Sequence, residues 1–194
     1  MDQTKLKLLM QEVSAGKISP EEASLRLKAL PFEDLGFAKV DHHRSIRRGH
    51  PETIFAQGKT PEQVVAIVRN MHEDGSNVPA TRSAPEVAKA VLAEFPDAVH
   101  NTLGRTVTLV KNPIDALPGY VAVVCAGTSD LPVAEEAAVT AEMMSCRIER
   151  ITDIGVAGLH RVLRQRESLG NANVVIVCAG MEGALPSVVA GLVD

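Results

Sequence analysis

Two stretches that nearly repeat each other decide the fold: residues 123–132 (VVCAGTSDLP) and residues 175–186 (VIVCAGMEGALP). Each is an apolar, β-rich run, then Cys-Ala-Gly, then a Leu-Pro pair that opens a helical segment rich in small apolar residues. A parallel strand that turns tightly into a helix has this pattern, because glycine lets the backbone bend or approach a ligand. The N–H groups at the start of a helix favour an anion such as phosphate. Two such turns in one sheet therefore predict a single pocket lined by both.

The bulk properties of the chain limit its function. Its 194 residues suffice for one large domain or two small ones, and they include no Trp, one Tyr and four Phe. The shortage of aromatic residues and the net charge of −4 argue against nucleic-acid binding, which uses stacking rings and basic surfaces. The sequence contains no apolar run long enough to span a bilayer. Three cysteines without metal-type spacing indicate a reducing compartment, so we expect a cytoplasmic protein.

Strands alternate with helices over most of the chain, which predicts an α/β fold. We predict a parallel sheet flanked by helices in a domain at residues 119–194. It follows a smaller α+β domain at residues 1–112 that begins with a helical hairpin. The last predicted helix has no strand after it, so we expect the second domain to be incomplete at its C-terminal end, with at least one strand beyond Asp194.

The first turn, Gly127-Thr128-Ser129-Asp130, predicts a phosphate cradle. Its backbone N–H groups and two hydroxyls would bind the anion, while Asp130 binds a ribose hydroxyl or handles a proton. The alternative is ordinary capping of the next helix by Ser129 or Asp130. Ligands in open α/β sheets bind at the carboxyl ends of strands, where this turn is expected.

The second turn, Gly180-Met181-Glu182-Gly183, is expected at the same edge of the sheet. There Glu182 could act as a general base, a metal ligand or a substrate contact, or it could be a solvated carboxylate that complements the helix dipole. Asp153 follows the second of the three strands predicted in this domain, counted along the sequence. It either caps the next helix or faces the pocket.

Cys125 and Cys178 each close a buried strand, where cysteine behaves as a small hydrophobic residue. Neither has a flanking Lys, Arg or His that would stabilise a thiolate. We therefore predict structural roles for both, and Cys146 carries no functional signal.

Basic residues of the first domain are weaker candidates. Gly58-Lys59-Thr60 resembles the end of a P-loop but lacks its earlier glycine, although Lys59 could still reach an anion. Arg44, Arg47 and Arg48 form a basic patch, which is either a solvated face or a second phosphate clamp. Arg82, which follows a short predicted strand, is a similar candidate for contact with a phosphate.

Several of these segments together resemble the LarB family of pyridinium-3,5-biscarboxylic acid mononucleotide synthases, which begin nickel-pincer cofactor synthesis. The resemblance covers nearly the whole chain, and it implies that the second domain is PurE-like. The residues that carry it are 126–138, 153–161 and 179–194, together with Asp41, Arg44, Arg47, Gly49, Pro51-Glu52 and Gly58-Lys59-Thr60.

The resemblance implies an enzyme that carboxylates the pyridinium ring of nicotinic acid adenine dinucleotide with CO2 or bicarbonate and hydrolyses the phosphoanhydride, which releases AMP. It implies a nucleophilic cysteine beyond Asp194, and none of the three cysteines present matches that residue. No covalently bound cofactor is implied, the participation of Mg²⁺ stays open, and a homo-oligomer is expected because related folds assemble as octamers. The predicted site has Asp130 and Glu182 as catalytic groups and Gly127, Thr128, Ser129, Asp153, Gly180, Met181 and Gly183 as substrate- and phosphate-binding groups. The resemblance makes Arg44, Arg47, Lys59 and Arg82 candidates for the AMP side or for interdomain contacts.

Two alternatives remain at this stage. The second domain is also similar to PurE carboxyaminoimidazole ribonucleotide mutases, but those enzymes carry Ser-Ala-His-Arg after the second strand, where this chain has Asp153-Ile154-Gly155-Val156. The other alternative is a non-catalytic module that binds nucleotides or supports assembly.

Overall fold

A computed structural model describes residues 3–28, 32–42, 44 and 48–193. It divides the chain into two compact units. The first comprises residues 1–99 and 107–113, and the second comprises residues 100–106 and 114–194. The domain limits given above stay a prediction, and each unit is described by itself.

The first unit contains a helical hairpin, a two-stranded ribbon and a mixed sheet. In the sheet the strand order is β3-β4-β6-β5, with β3 parallel to β4 and β4 antiparallel to β6. The elements up to residue 109 are α1 (Gln3–Ser14), α2 (Pro20–Lys28), β1 (Glu33–Asp34), β2 (Lys39–Val40), β3 (Ile54–Phe55), α3 (Pro61–Glu73), β4 (Val78–Thr81), α4 (Pro85–Glu94), β5 (Val99–Asn101) and β6 (Thr106–Leu109). Residues 100 and 101 of β5 and residue 106 of β6 are counted with the second unit.

Helices α3 and α4, which both start with proline, begin differently. Thr60 caps α3 in a capping box, in which the Gln63 backbone N–H donates to Thr60 Oγ1 and the Thr60 N–H donates to Gln63 Oε1. Before α4 the N-cap is Ala84, with no side-chain cap hydrogen bond. The segment Ser83-Ala84-Pro85-Glu86 predicts a cap for this helix. Ser83 does not provide it, because this residue lies one position too early and is buried.

The second unit consists of strands that alternate with helices. Its elements are β7 (Val121–Cys125), α5 (Leu131–Glu142), β8 (Ile148–Ile151), α6 (Leu159–Arg164), α7 (Arg166–Asn171), β9 (Val174–Cys178) and α8 (Ala184–Ala190), with short 3-10 turns at Thr128–Asp130 and Val156–Gly158. The sequence predicts one continuous helix over residues 155–169, and this prediction is wrong. A 3-10 turn precedes α6, and the backbone at Gln165 (φ −93°, ψ 6°) leaves α-helical geometry before α7 begins.

The sheet of the second unit has the order β8-β7-β9, and both neighbouring pairs are parallel. Successive residues of the central strand β7 point to opposite faces. Val121, Val123 and Cys125 pack against Ala134 and Ala138 of α5. On the other face, a second cluster joins the strands to α6, α7 and α8; its members include Ala122, Val124, Val162, Leu169, Leu185 and Val189. Helices therefore cover both faces of a parallel sheet, which confirms the predicted α/β class.

A membrane-crossing helix is absent from the described part of the chain, where no helix has the required length and apolar character.

Candidate functional site

Three turns meet at the carboxyl edge of the parallel sheet in the second unit. They follow β7, β8 and β9, and they enclose a cavity of about 430 Å³. A volume of this order suits a small ligand. The residues that line the cavity are Ala126, Gly127, Ser129, Asp130, Asp153, Gly155, Val156, Ala157, Arg161, Ala179, Gly180, Met181, Glu182, Ala184 and Leu185. The two repeated Cys-Ala-Gly turns thus lie on one cavity.

Asp130 connects these two turns. The Gly127 backbone N–H donates to Asp130 Oδ2 at 3.0 Å, and the Gly180 backbone N–H donates to Asp130 Oδ1 at 3.0 Å. Hydrogen bonds to a carboxylate are stronger than those between neutral groups. Although Asp130 is the N-cap residue of α5, its side chain makes no cap hydrogen bond to that helix. The carboxylate therefore fixes the position of one turn relative to the other instead of capping α5.

The turn after β8 contributes an ion pair. Arg161 Nη1 lies 2.8 Å from Asp153 Oδ2, and both side chains line the cavity. Asp153 has a φ of 56°, an uncommon value for a residue other than glycine. Gly158 leaves room for the guanidinium, since a Cβ on this residue would lie 2.6 Å from Arg161 Nε.

The turn after β9 is the most exposed part of the cavity wall. Met181 has a φ of 47° and a fully exposed side chain. Gly183 has a φ of 66° as the N-cap of α8, a conformation that glycine adopts without strain. Glu182 lies between them with an exposed carboxylate that lines the cavity. This turn therefore supplies an acidic group at the mouth of the cavity.

Thr128 and Ser129 differ in their relation to the cavity. Both side chains are exposed within the 3-10 turn that precedes α5. Ser129 lines the cavity, whereas Thr128 does not. The two hydroxyls of the predicted cradle are therefore not equivalent.

The cysteines beneath the turns are protonated at neutral pH. Burial raises the pKa of the Cys125 thiol and of the Cys178 thiol, and the nearby charge of Asp130 acts in the same direction on both. Desolvation disfavours a thiolate, which is the nucleophilic form of cysteine. Cys146 lies just before β8, at the opposite edge of the sheet from the cavity.

Four of the predicted site residues belong to the first unit. Lys59 Nζ donates to the Phe55 carbonyl at 2.6 Å and lines a separate cavity of about 270 Å³. Arg82 directly follows β4 with a φ of 53°. Arg44 Nε is buried and has no hydrogen-bond partner in the described part of the chain. Arg47 lies outside the described residues.

Arg161 is a charged cavity residue that sequence reasoning missed. A continuous helix from residue 155 would place it nearly two turns away from the strand end. Because α6 begins only at Leu159, Arg161 lies in the first turn of that helix and returns to the cavity. The tripeptide Ala157-Gly158-Leu159 was the available signal, since glycine marks a break in a helical pattern.

No group of three or more His, Cys, Asp or Glu side chains within residues 3–28, 32–42, 44 and 48–193 could hold a metal ion. The carboxylates around the cavity therefore do not make a metal site by themselves.

Comparisons with known proteins identify the family. A profile of the LarB/PurE-like N-terminal domain matches residues 32–112, most of which belong to the first unit. An uncharacterized protein, MJ0165, from Methanocaldococcus jannaschii is 32% identical over 198 residues. That alignment includes 97% of this chain and 77% of the relative, so it extends through the cavity of the second unit. The chain therefore belongs to the LarB/PurE-like family.

Proposed function

We propose that the cavity of the second unit binds the mononucleotide half of nicotinic acid adenine dinucleotide. The proposed enzyme carboxylates the pyridinium ring and hydrolyses the phosphoanhydride, which releases AMP. The observation that carries the proposal is the meeting of two glycine turns at the carboxyl edge of one parallel sheet, where Asp130 connects them. Open α/β sheets bind their ligands at this edge.

Arg161 supplies the positive charge that an anionic ligand requires. Its guanidinium presents several donors in a plane, and such an arrangement suits a phosphate or a carboxylate. In the absence of ligand, the ion pair with Asp153 holds this side chain at the cavity. An incoming phosphate would exchange with Asp153 as the partner of the guanidinium.

The acidic side chains have separate roles in this proposal. Asp130 accepts from both turns and so positions the backbone around the ligand, while its remaining lone pairs are available to a ribose hydroxyl. Glu182, which is exposed at the cavity mouth, is the group that holds or moves a proton. Mg²⁺ has no step in this account.

The proposal gives no covalent role to the three cysteines. Burial raises the pKa of Cys125 and Cys178, and Cys146 lies at the other edge of the sheet. The resemblance to the LarB family implies a nucleophilic cysteine that none of these three residues matches. Binding by this chain and turnover of the substrate are therefore separate measurements.

Contacts to the AMP half stay a prediction from the resemblance. The candidates are Arg44, Arg47, Lys59 and Arg82. A homo-oligomer, for which octamers of related folds are the precedent, also remains part of the proposal.

Calorimetric titration tests the proposal directly. The chain is titrated with nicotinic acid adenine dinucleotide and, separately, with carboxyaminoimidazole ribonucleotide, each with and without Mg²⁺. Saturable binding of the dinucleotide alone supports the proposal. Binding of the imidazole ribonucleotide alone would favour a PurE-type mutase, and binding of neither by the folded chain would favour a non-catalytic module.

A further inference from the structure

Cys125 and Cys178 lie opposite each other on neighbouring strands. They are Cα partners in the parallel register of β7 and β9. Both belong to the same packed cluster as Val123 and Ile176, so their side chains lie on the same face of the sheet. Neighbouring strands are about 4.8 Å apart, and a disulfide requires Cα atoms about 4.4–6.8 Å apart. The register therefore places the two Cα atoms within the range of a disulfide.

The two thiols differ in their access to solvent. Cys125 on the central strand is 0% exposed, whereas Cys178 on the edge strand is partly exposed. A reagent in solution would meet Cys178 first. Cys125, its Cα partner on the neighbouring strand, would then be placed beside the modified sulfur.

We propose that Cys125 and Cys178 form a thiol–disulfide exchange site for small dialkyl disulfides such as oxidised glutathione. The Cys178 thiolate attacks one sulfur of the reagent, so that a mixed disulfide forms and one glutathione thiolate leaves. The Cys125 thiolate then attacks the Cys178 sulfur, which releases the second glutathione. In total, two protein thiols are oxidised to one disulfide and the reagent is reduced to two thiols.

The cysteine pair lies next to the two turns that line the cavity. Each cysteine is separated from the glycine of its turn by a single alanine, and both alanines line the cavity. A bond between the two sulfurs would join the strand ends that carry the two turns. Because each thiol must ionise in a buried position, the exchange is expected to be faster at pH 9 than at pH 7.

The test uses the whole chain with C146A, which removes the third cysteine. The reduced protein is incubated with oxidised glutathione, and its intact mass and tryptic peptides are measured. We expect a product that lacks two hydrogens, a cross-link between the Cys125 and Cys178 peptides, and full reversal by a phosphine reductant. A stable mixed disulfide at Cys178 without the internal bond, or no reaction at either cysteine, would overturn the proposal.

Two matched variants separate the roles of the thiols. With C125A added, the mixed disulfide at Cys178 is expected to persist, because no second thiol displaces the glutathione. With C178A added, Cys125 is expected to stay unmodified in the folded protein and to react in urea. Modification of Cys125 in folded C178A would contradict the order of attack.

Discussion

The Gly180 backbone N–H donates to Asp130 Oδ1 across 50 positions of sequence, at a distance of 3.0 Å. The other oxygen of the same carboxylate accepts from Gly127. One side chain therefore holds together the two turns that the sequence repeats. The geometry of the proposed site depends on this carboxylate even where the ligand does not touch it.

Replacing Asp130 by alanine should weaken both the fold and the site. The variant loses two charge-assisted hydrogen bonds, and such bonds typically contribute about 1–3 kcal/mol each to the free energy of unfolding. Urea unfolding measures this loss, and calorimetry measures the affinity for the dinucleotide. Asp115→Ala, which removes an exposed carboxylate in the same unit, is the control. Unchanged stability and affinity in the Asp130 variant would show that the connection between the turns is unimportant.

Replacing Arg161 by glutamine should weaken dinucleotide binding about ten- to a hundredfold, because a charge-assisted contact of about 1.5–3 kcal/mol is lost. The free energy of unfolding should change by less than about 1 kcal/mol, since the ion pair with Asp153 is partly exposed. Asp153→Asn is the informative partner variant. It should not weaken phosphate binding, because it releases the guanidinium from its competitor. An equal loss of affinity in both variants would contradict an exchange of partners.

Gly155 should not tolerate a side chain. A Cβ there would lie 3.1 Å from the Ala126 carbonyl oxygen, a backbone atom that is held by a hydrogen bond from the Gly155 N–H. Gly155→Ala should therefore cost about 1–3 kcal/mol through overpacking. The matched control is Gly170→Ala, where a Cβ meets nothing within 4 Å and where helix propensity favours alanine by up to about 1 kcal/mol. Thermal melting of the two variants should shift in opposite directions.

The first unit should lose stability as the pH rises from 5.5 to 8. The His42 side chain is 9% exposed, and its Nδ1 and Nε2 each lie 3.5 Å from a carboxylate oxygen, of Asp74 and Glu33 respectively. The hydrogen bond to Asp74 is the largest cause that raises the pKa of His42 above 6.5. The stabilisation is therefore complete below pH 6.5 and is lost as the pH rises through the folded-state pKa.

His42→Gln should flatten this pH dependence, whereas His160→Gln, which replaces an exposed histidine, should leave it unchanged. Melting temperatures over this pH range measure both effects. The same slope in wild type and His42→Gln would show that His42 is not the responsible group.

The local pattern of the sequence was sufficient to predict the parallel strands and the turns at their ends. Apolar runs such as Val174–Cys178 followed by glycine have a clear local signature. The hydrogen bond from the Gly180 N–H to Asp130 has no local signature in the sequence, because it depends on how β7 and β9 pair. Arg161 was left out of the predicted site because its helix was expected to be continuous from residue 155, whereas α6 begins only at Leu159, after Gly158.

Chemical-shift mapping tests the central claim most directly, because glycine amides report from each wall of the cavity. Nicotinic acid mononucleotide is added to ¹⁵N-labelled protein, and the amide signals of Gly127, Gly155 and Gly180 are followed. The account predicts saturable shifts at all three, with the signal of Gly170, at the far end of α7, unchanged. Saturable binding that shifts other signals and leaves these three in place would contradict the assignment of the mononucleotide to this cavity.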